Sequence, residues 1–227
     1  MEKPPRFPVQ LNRWPALGYV VPFAVFIGFL VIHKLLPVPQ AARFVIILAL
    51  LAIFSRGLLP SRPSRAFLSV ILGIGIFFVW IAPDLLIPGY RNSILFSNSI
   101  VGRPQGATEP SDQGNAIFLL FRVLNSVLTI PIIEELFWRG WMMRWIVARP
   151  FNRIPVGTYN AEAFWLVAFL FASEHGSFWD VGLIAGVIYN WWAVKTGNLT
   201  DCVIAHAMTN ACLAVYVIGW GQWQYWL

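Results

Sequence analysis

The chain has 227 residues, of which 58% are hydrophobic and only 11% charged, with a formal net charge of +6. An ordinary soluble domain carries about 25% charged residues, so this sequence cannot clothe a water-soluble surface and reads as one helical membrane domain over 1–227. The basic residues sit mainly in short segments between apolar runs, where they set topology; the charge therefore speaks for a lipid bilayer and against a nucleic-acid partner.

The opening segment, MEKPPRFPVQLNRW, is basic and proline-rich. The apolar stretch behind it, 16–36, is longer than a signal-peptide core and lacks a small-residue cleavage site, so it is expected to be a retained first helix. Further spans are expected at 41–59, 66–88, 115–148, 161–175, 180–195 and 199–220. Together they predict an all-α, polytopic transmembrane helical bundle of about seven helices. Segment 115–148 would reach about 51 Å, against roughly 30 Å of hydrocarbon, and Pro131 is expected to kink or divide it.

Between 89 and 114 runs a polar loop with little capacity for a core, expected outside the membrane as a surface connector or a substrate lid. A cytoplasmic N-terminus puts ten basic residues inside, namely Lys3, Arg6, Arg13, Arg56, Arg62, Arg65, Arg144, Arg149, Arg153 and Lys195. Four fall outside, Lys34, Arg43, Arg91 and Arg103, a bias that the positive-inside rule favours. Cys202 and Cys212 lie about 15 Å apart along one helix, too far for a mutual disulfide.

Ionisable groups inside apolar sequence are costly in hydrocarbon, so each should face the bundle interior and find partners. Three groups stand out. In PIIEELFWRGWMMRW, Glu135 and Arg139 are four apart and share a helix face, so they can pair. Glu134 points about 100° away and is left for chemistry. The bland reading places this cluster at a solvated interface. In FASEH, Phe171 and His175 share a face at the end of an apolar helix, where a histidine is often structural. In HAMTN, His206 and Asn210 lie one turn apart, and mutual satisfaction across a helix interface is the plain alternative. Taken together, three helices bring a base, a second proton-handling group and an oxyanion clamp to membrane depth. Water-mediated amide hydrolysis needs those parts.

The ordered set EExxxR, FxxxH and HxxxN, here Glu134, Glu135 and Arg139, then Phe171 and His175, then His206 and Asn210, resembles the signature of the CPBP family. These are the type II CAAX prenyl proteases and the bacteriocin-processing proteins. The short chain looks most like bacterial CAAX-protease-related proteins associated with exosortase systems. The resemblance covers about 115–215, the expected catalytic core. It implies a bundle with a conical cavity open toward the cytoplasm, and residence in a bacterial inner membrane. It also implies an intramembrane endopeptidase acting on a membrane-associated peptide or protein. Glu134 would activate water, His175 assist proton transfer, and His206 with Asn210 stabilise the oxyanion, supported by Glu135, Arg139 and Phe171. No cofactor is expected; the alternative is a zinc ion on Glu134, His175 and His206, although no HExxH helix is present. The non-enzymatic alternative is a transporter or scaffold using the same groups as a proton or ligand site. Glu174 lies outside the family pattern and receives no role.

Overall fold

A computed structural model describes residues 14–33, 35–60, 62–104 and 108–226. Seven main helices follow in chain order: α1 (Leu17–Ile32), α2 (Gln40–Phe54), α3 (Ala66–Leu86), α4 (Ala116–Val147), α5 (Ala161–Ser173), α6 (Trp179–Thr196) and α7 (Leu199–Trp220). Three of them, α3, α4 and α7, are long and apolar enough to cross a membrane; α1, α2 and α5 are shorter apolar helices. Large apolar side chains point outward, Val31 at 76% and Phe67 at 75% exposure, as expected where the solvent is lipid. The protein is an integral membrane protein built as a helical bundle.

Successive helices run in opposite directions. Contacts between their ends define two faces of the bundle. At one face the Thr200 hydroxyl donates to the Pro60 carbonyl at 2.6 Å, and Asn198 Nδ2 to the Arg62 carbonyl at 3.0 Å. This face gathers the starts of α1, α3, α5 and α7 and is called the basic face below. At the opposite face Asn125 Nδ2 reaches the Gln40 carbonyl at 3.0 Å. There Arg91 bridges Asp84 at the end of α3 (3.3 Å) and Asp180 at the start of α6 (2.5 Å), while the Tyr225 hydroxyl donates to Asp84 at 2.9 Å. The segment after α3 is thus more than a surface connector. Its Arg91 is buried, donates to the Ser177 carbonyl and lies 4.4 Å from the Phe178 ring. A single charged residue that satisfies two carboxylates can organise a loop whose composition carries little apolar drive.

Pro131 does not divide α4. The helix is continuous for 32 residues but widens twice into π turns, at Asn125–Thr129 and Leu136–Met142. A proline lacks the N–H and crowds the carbonyl one turn earlier. The first π turn ends at Thr129, two residues before this proline, and absorbs that conflict without a break. Packing elsewhere depends on small residues: a Cβ at Gly73 of α3 would strike the Ala205 carbonyl of α7, so these two helices approach backbone to backbone.

The first turn of α3 is held from α7. The Asp201 carboxylate, fully buried, accepts from the backbone N–H of Ser64 at 3.0 Å and of Arg65 at 2.9 Å, and from the Ser64 hydroxyl. Arg65 precedes the helix without any cap of its own, so a side chain 136 positions away supplies it. Removing that acceptor breaks the bonds that hold Ser64 and Arg65, each bond to a charged group contributing about 1.5–3 kcal/mol. Asp201→Ala is therefore expected to lower unfolding stability in detergent by about 2–4 kcal/mol, with Asp201→Asn intermediate. An Ala variant as stable as the wild type would show that the clamp is idle.

Candidate active site

Glu134 and Glu135 close the α-helical turn Ile130–Glu135 of α4, just before the second π turn. They leave the helix in different directions, as consecutive helical residues must. Glu135 turns into the protein and is fully buried. Its Oε1 accepts from Arg139 Nη1 at 3.1 Å and from His206 Nδ1 at 2.9 Å. The expected Glu135–Arg139 pair is present, and one carboxylate oxygen additionally ties α4 to α7.

Arg139 is itself only 1% exposed. It donates from Nε to Asn190 Oδ1 at 2.8 Å and from Nη2 to the Gly186 carbonyl at 3.3 Å, both on α6. Its guanidinium lies 4.6 Å from the Phe171 ring and 5.4 Å from the Tyr189 ring. A buried cation needs this many partners, because the desolvation cost of each ion amounts to several kcal/mol. The solvated-interface reading of the EExxxR cluster does not survive this burial.

Glu134 faces a cavity of about 200 Å³ that it shares with His175, His206, Phe171, Asn210 and Glu174. His206 Nε2 lies 3.9 Å from Glu134 Oε2, an oxygen that is buried and takes no hydrogen bond among the described residues. Glu135 accepts the Nδ1–H of His206, so the other ring nitrogen is the one turned toward Glu134. Tyr189 stacks on the imidazole with centroids 5.0 Å apart, and its hydroxyl donates to Thr209 Oγ1 at 2.8 Å.

His175 follows the end of α5 and closes the chain toward α6. Its Nδ1 donates to the Phe171 carbonyl at 2.8 Å, which leaves Nε2 free. Gly182 makes room for the ring, since a Cβ there would sit 3.1 Å from it. Phe171 touches both imidazoles, with centroids 4.7 Å from His175 and 6.0 Å from His206. The two histidines enter at different heights along their helices, and this aromatic ring joins them along one wall. Glu174 also lines the cavity, where its Oε2 accepts from Trp138 Nε1 at 3.2 Å.

Asn210 is not paired with His206. Its Nδ2 donates to the Ser126 carbonyl at 2.8 Å. In the first π turn the Ile130 N–H bonds the Asn125 carbonyl, five residues back. By the same pattern Ser126 would receive the N–H of residue 131, but Pro131 has none. The proline thus frees one carbonyl of α4, and Asn210 of α7 satisfies it. The amide keeps a second N–H for other work.

Among the described residues no group of three His, Cys, Asp or Glu side chains is close enough to hold a metal ion. Sequence reasoning missed Asn190, Tyr189 and Trp138. Asn190 carries the signal that singled out Asn210, an amide within an apolar run. Tyr189 and Trp138 carry none, since aromatic residues are ordinary in such helices.

Residues 116–212 match the family model described as type II CAAX prenyl endopeptidase Rce1-like. No curated protein and no solved structure matches the chain. The matched stretch runs from α4 into α7 and holds all seven motif residues, so this part of the chain is an Rce1-like domain.

Two outcomes follow from the geometry. Arg139→Met strands Glu135 in the core and should cost about 3–5 kcal/mol in unfolding stability; a loss below about 1 kcal/mol would mean that the pair contributes little. Pro131→Ala returns a donor to the Ser126 carbonyl, so the melting-temperature drop caused by Asn210→Ala should be at least halved in that background. Equal drops in both backgrounds would show that Asn210 and Pro131 are uncoupled.

Proposed function

We propose that the protein hydrolyses a peptide bond by means of a water molecule activated by Glu134, without an obligatory metal. The observation that carries this reading is the shared cavity in which the unpaired Glu134 carboxylate oxygen and the His206 Nε2 face each other at 3.9 Å. A general base must lie within reach of both the water and the reacting centre, and a donor must stand where negative charge develops.

The roles follow from what each group has left to offer. Glu134 takes a proton from water, whose oxygen attacks the scissile carbonyl carbon. The carbonyl oxygen becomes an oxyanion, held by His206 Nε2 when both ring nitrogens carry protons, and by the second N–H of Asn210. Collapse of this intermediate breaks the C–N bond and re-forms a carbonyl. Glu134 passes the proton it took from water to the bare His175 Nε2, which hands it to the leaving nitrogen, so that both side chains return to their starting states. Glu135 and Arg139 do not touch the substrate; they fix the imidazole that does. The expected substrate is a membrane-associated polypeptide that enters from the bundle's surroundings.

The test uses purified protein and a panel of membrane-tethered peptides, with products read by mass spectrometry. Glu134→Gln is expected to lower cleavage at least about a thousandfold, on the scale set by loss of a general base together with its water. Its melting temperature should stay within about 2 °C of wild type, since this carboxylate has no bonded partner on its buried oxygen. Full activity in that variant defeats the mechanism. Proton-coupled uptake into liposomes without any proteolysis would instead favour the transport reading.

A further inference from the structure

The family resemblance leads to the expectation of a cavity mouth on the cytoplasmic side. The lining of this cavity argues otherwise. Its floor is made by His206 and Tyr189, each about 10 Å from the basic-face end of its own helix by the rise per residue. From there the lining climbs away from that face. It passes Leu30 near the end of α1 and Leu213 in the later half of α7. It reaches Arg122, about 18 Å beyond Glu134 along α4, and ends at Tyr225 and Trp226 after α7. Among the described residues, none of the lining comes from the connections at the basic face, 55–65, 148–160 and 197–198.

The charges orient the bundle. At the basic face, among the described residues, stand Arg56, Arg62, Arg65, Arg149, Arg153 and Lys195. At the opposite face stand Arg43, Arg91 and Arg103. Of these, Arg43 and Arg91 are buried and committed, the first to His33 and the Val38 carbonyl, the second to Asp84 and Asp180. Such an excess of Lys and Arg in short connections marks the cytoplasmic side. We propose that the cavity opens away from the cytoplasm, and that the substrate is a polypeptide segment already exported across the membrane and still tethered beside the bundle. The choice of substrate rests on the protease reading; the direction of the mouth does not.

The experiment separates the two. In a background with Cys202→Ala and Cys212→Ala, single substitutions Ser93→Cys (opposite face), Asn152→Cys (basic face) and Ser126→Cys (cavity wall) are treated in intact spheroplasts with a charged, membrane-impermeant thiol reagent. Ser93→Cys and Ser126→Cys should react before lysis, and Asn152→Cys only after it, with at least a tenfold difference in rate. Labelling of Asn152→Cys in intact spheroplasts, or of Ser126→Cys only after lysis, overturns the proposal. A second arm presents two single-span reporter proteins, with the test segment outside or inside, to cells carrying wild type or Glu134→Gln. Glu134-dependent cleavage of the outside segment alone supports the exported substrate, and cleavage of the inside segment alone overturns it. If neither segment is cut, the exported-substrate assignment fails together with the protease reading, while the labelling pattern still decides where the mouth lies.

Discussion

Everything in the site depends on the burial of one guanidinium. Arg139 lies in the centre of the bundle with almost no exposure, where an unpaired cation would be untenable. Its three donor groups reach Glu135, Asn190 and the Gly186 carbonyl, so α4 and α6 are fastened at the depth where hydrolysis would occur. The Glu135 oxygen that answers Arg139 also answers His206, which brings α7 into the same arrangement. Arg–Glu–His is therefore a structural unit before it is a chemical one. A buried ion pair contributes little net stability relative to apolar packing. What this one supplies is orientation: it sets which ring nitrogen of His206 is turned to the cavity.

The two π turns of α4 serve the same purpose by different means. A strict α-helix would give the Ser126 carbonyl the N–H of Ile130 and leave the Val127 carbonyl, four residues before Pro131, as the one without a donor. Widening at Asn125–Thr129, together with Pro131, withdraws one donor and makes the Ser126 carbonyl an anchor for Asn210. Irregular backbone at membrane depth is tolerated only where protein or a wet cavity satisfies it, and here the cavity wall does so. The catalytic candidates thus sit on a helix whose departures from regularity are tied to residues of a neighbouring helix.

Much of this was legible in the sequence because hydrocarbon penalises polar groups so heavily. Seven apolar segments within a few residues of the observed helices could be read from length alone, and Glu134, Glu135, Arg139, His206 and Asn210 stood out as groups that lipid would not accept. The i to i+4 rule gave the Glu135–Arg139 pair directly. Partners on other helices were not readable, because periodicity reports faces within one helix and says nothing about the register between helices. Hence His206 meeting Glu135, Asn190 receiving Arg139, and Asn210 bonding Ser126 instead of His206 all required the fold. The kink expected at Pro131 shows the same limit. The residue named the conflict, but the π turn that resolves it depends on a partner 84 positions away.

The unequal depths of His175 and His206 bear on how the cavity is built. His206 enters near the floor, while His175 stands above it at the turn between α5 and α6, beside Trp80 of α3. Phe171 contacts both rings and also covers the Arg139 guanidinium. One aromatic side chain therefore separates the wholly buried ion pair from the open volume, so that the charges that hold the bundle together are not those presented to a substrate. Glu134 and His206 cross that division: Glu134 neighbours the buried Glu135 in sequence, yet its own carboxylate opens to the cavity, while His206 bonds Glu135 through one ring nitrogen and turns the other to the open volume. A polypeptide reaching Glu134 from the far face must pass Trp226, Arg122 and Leu213 before it meets either imidazole, so access runs down a mostly apolar shaft and ends at a carboxylate that borders the open volume and has no bonded partner on its buried oxygen among the described residues.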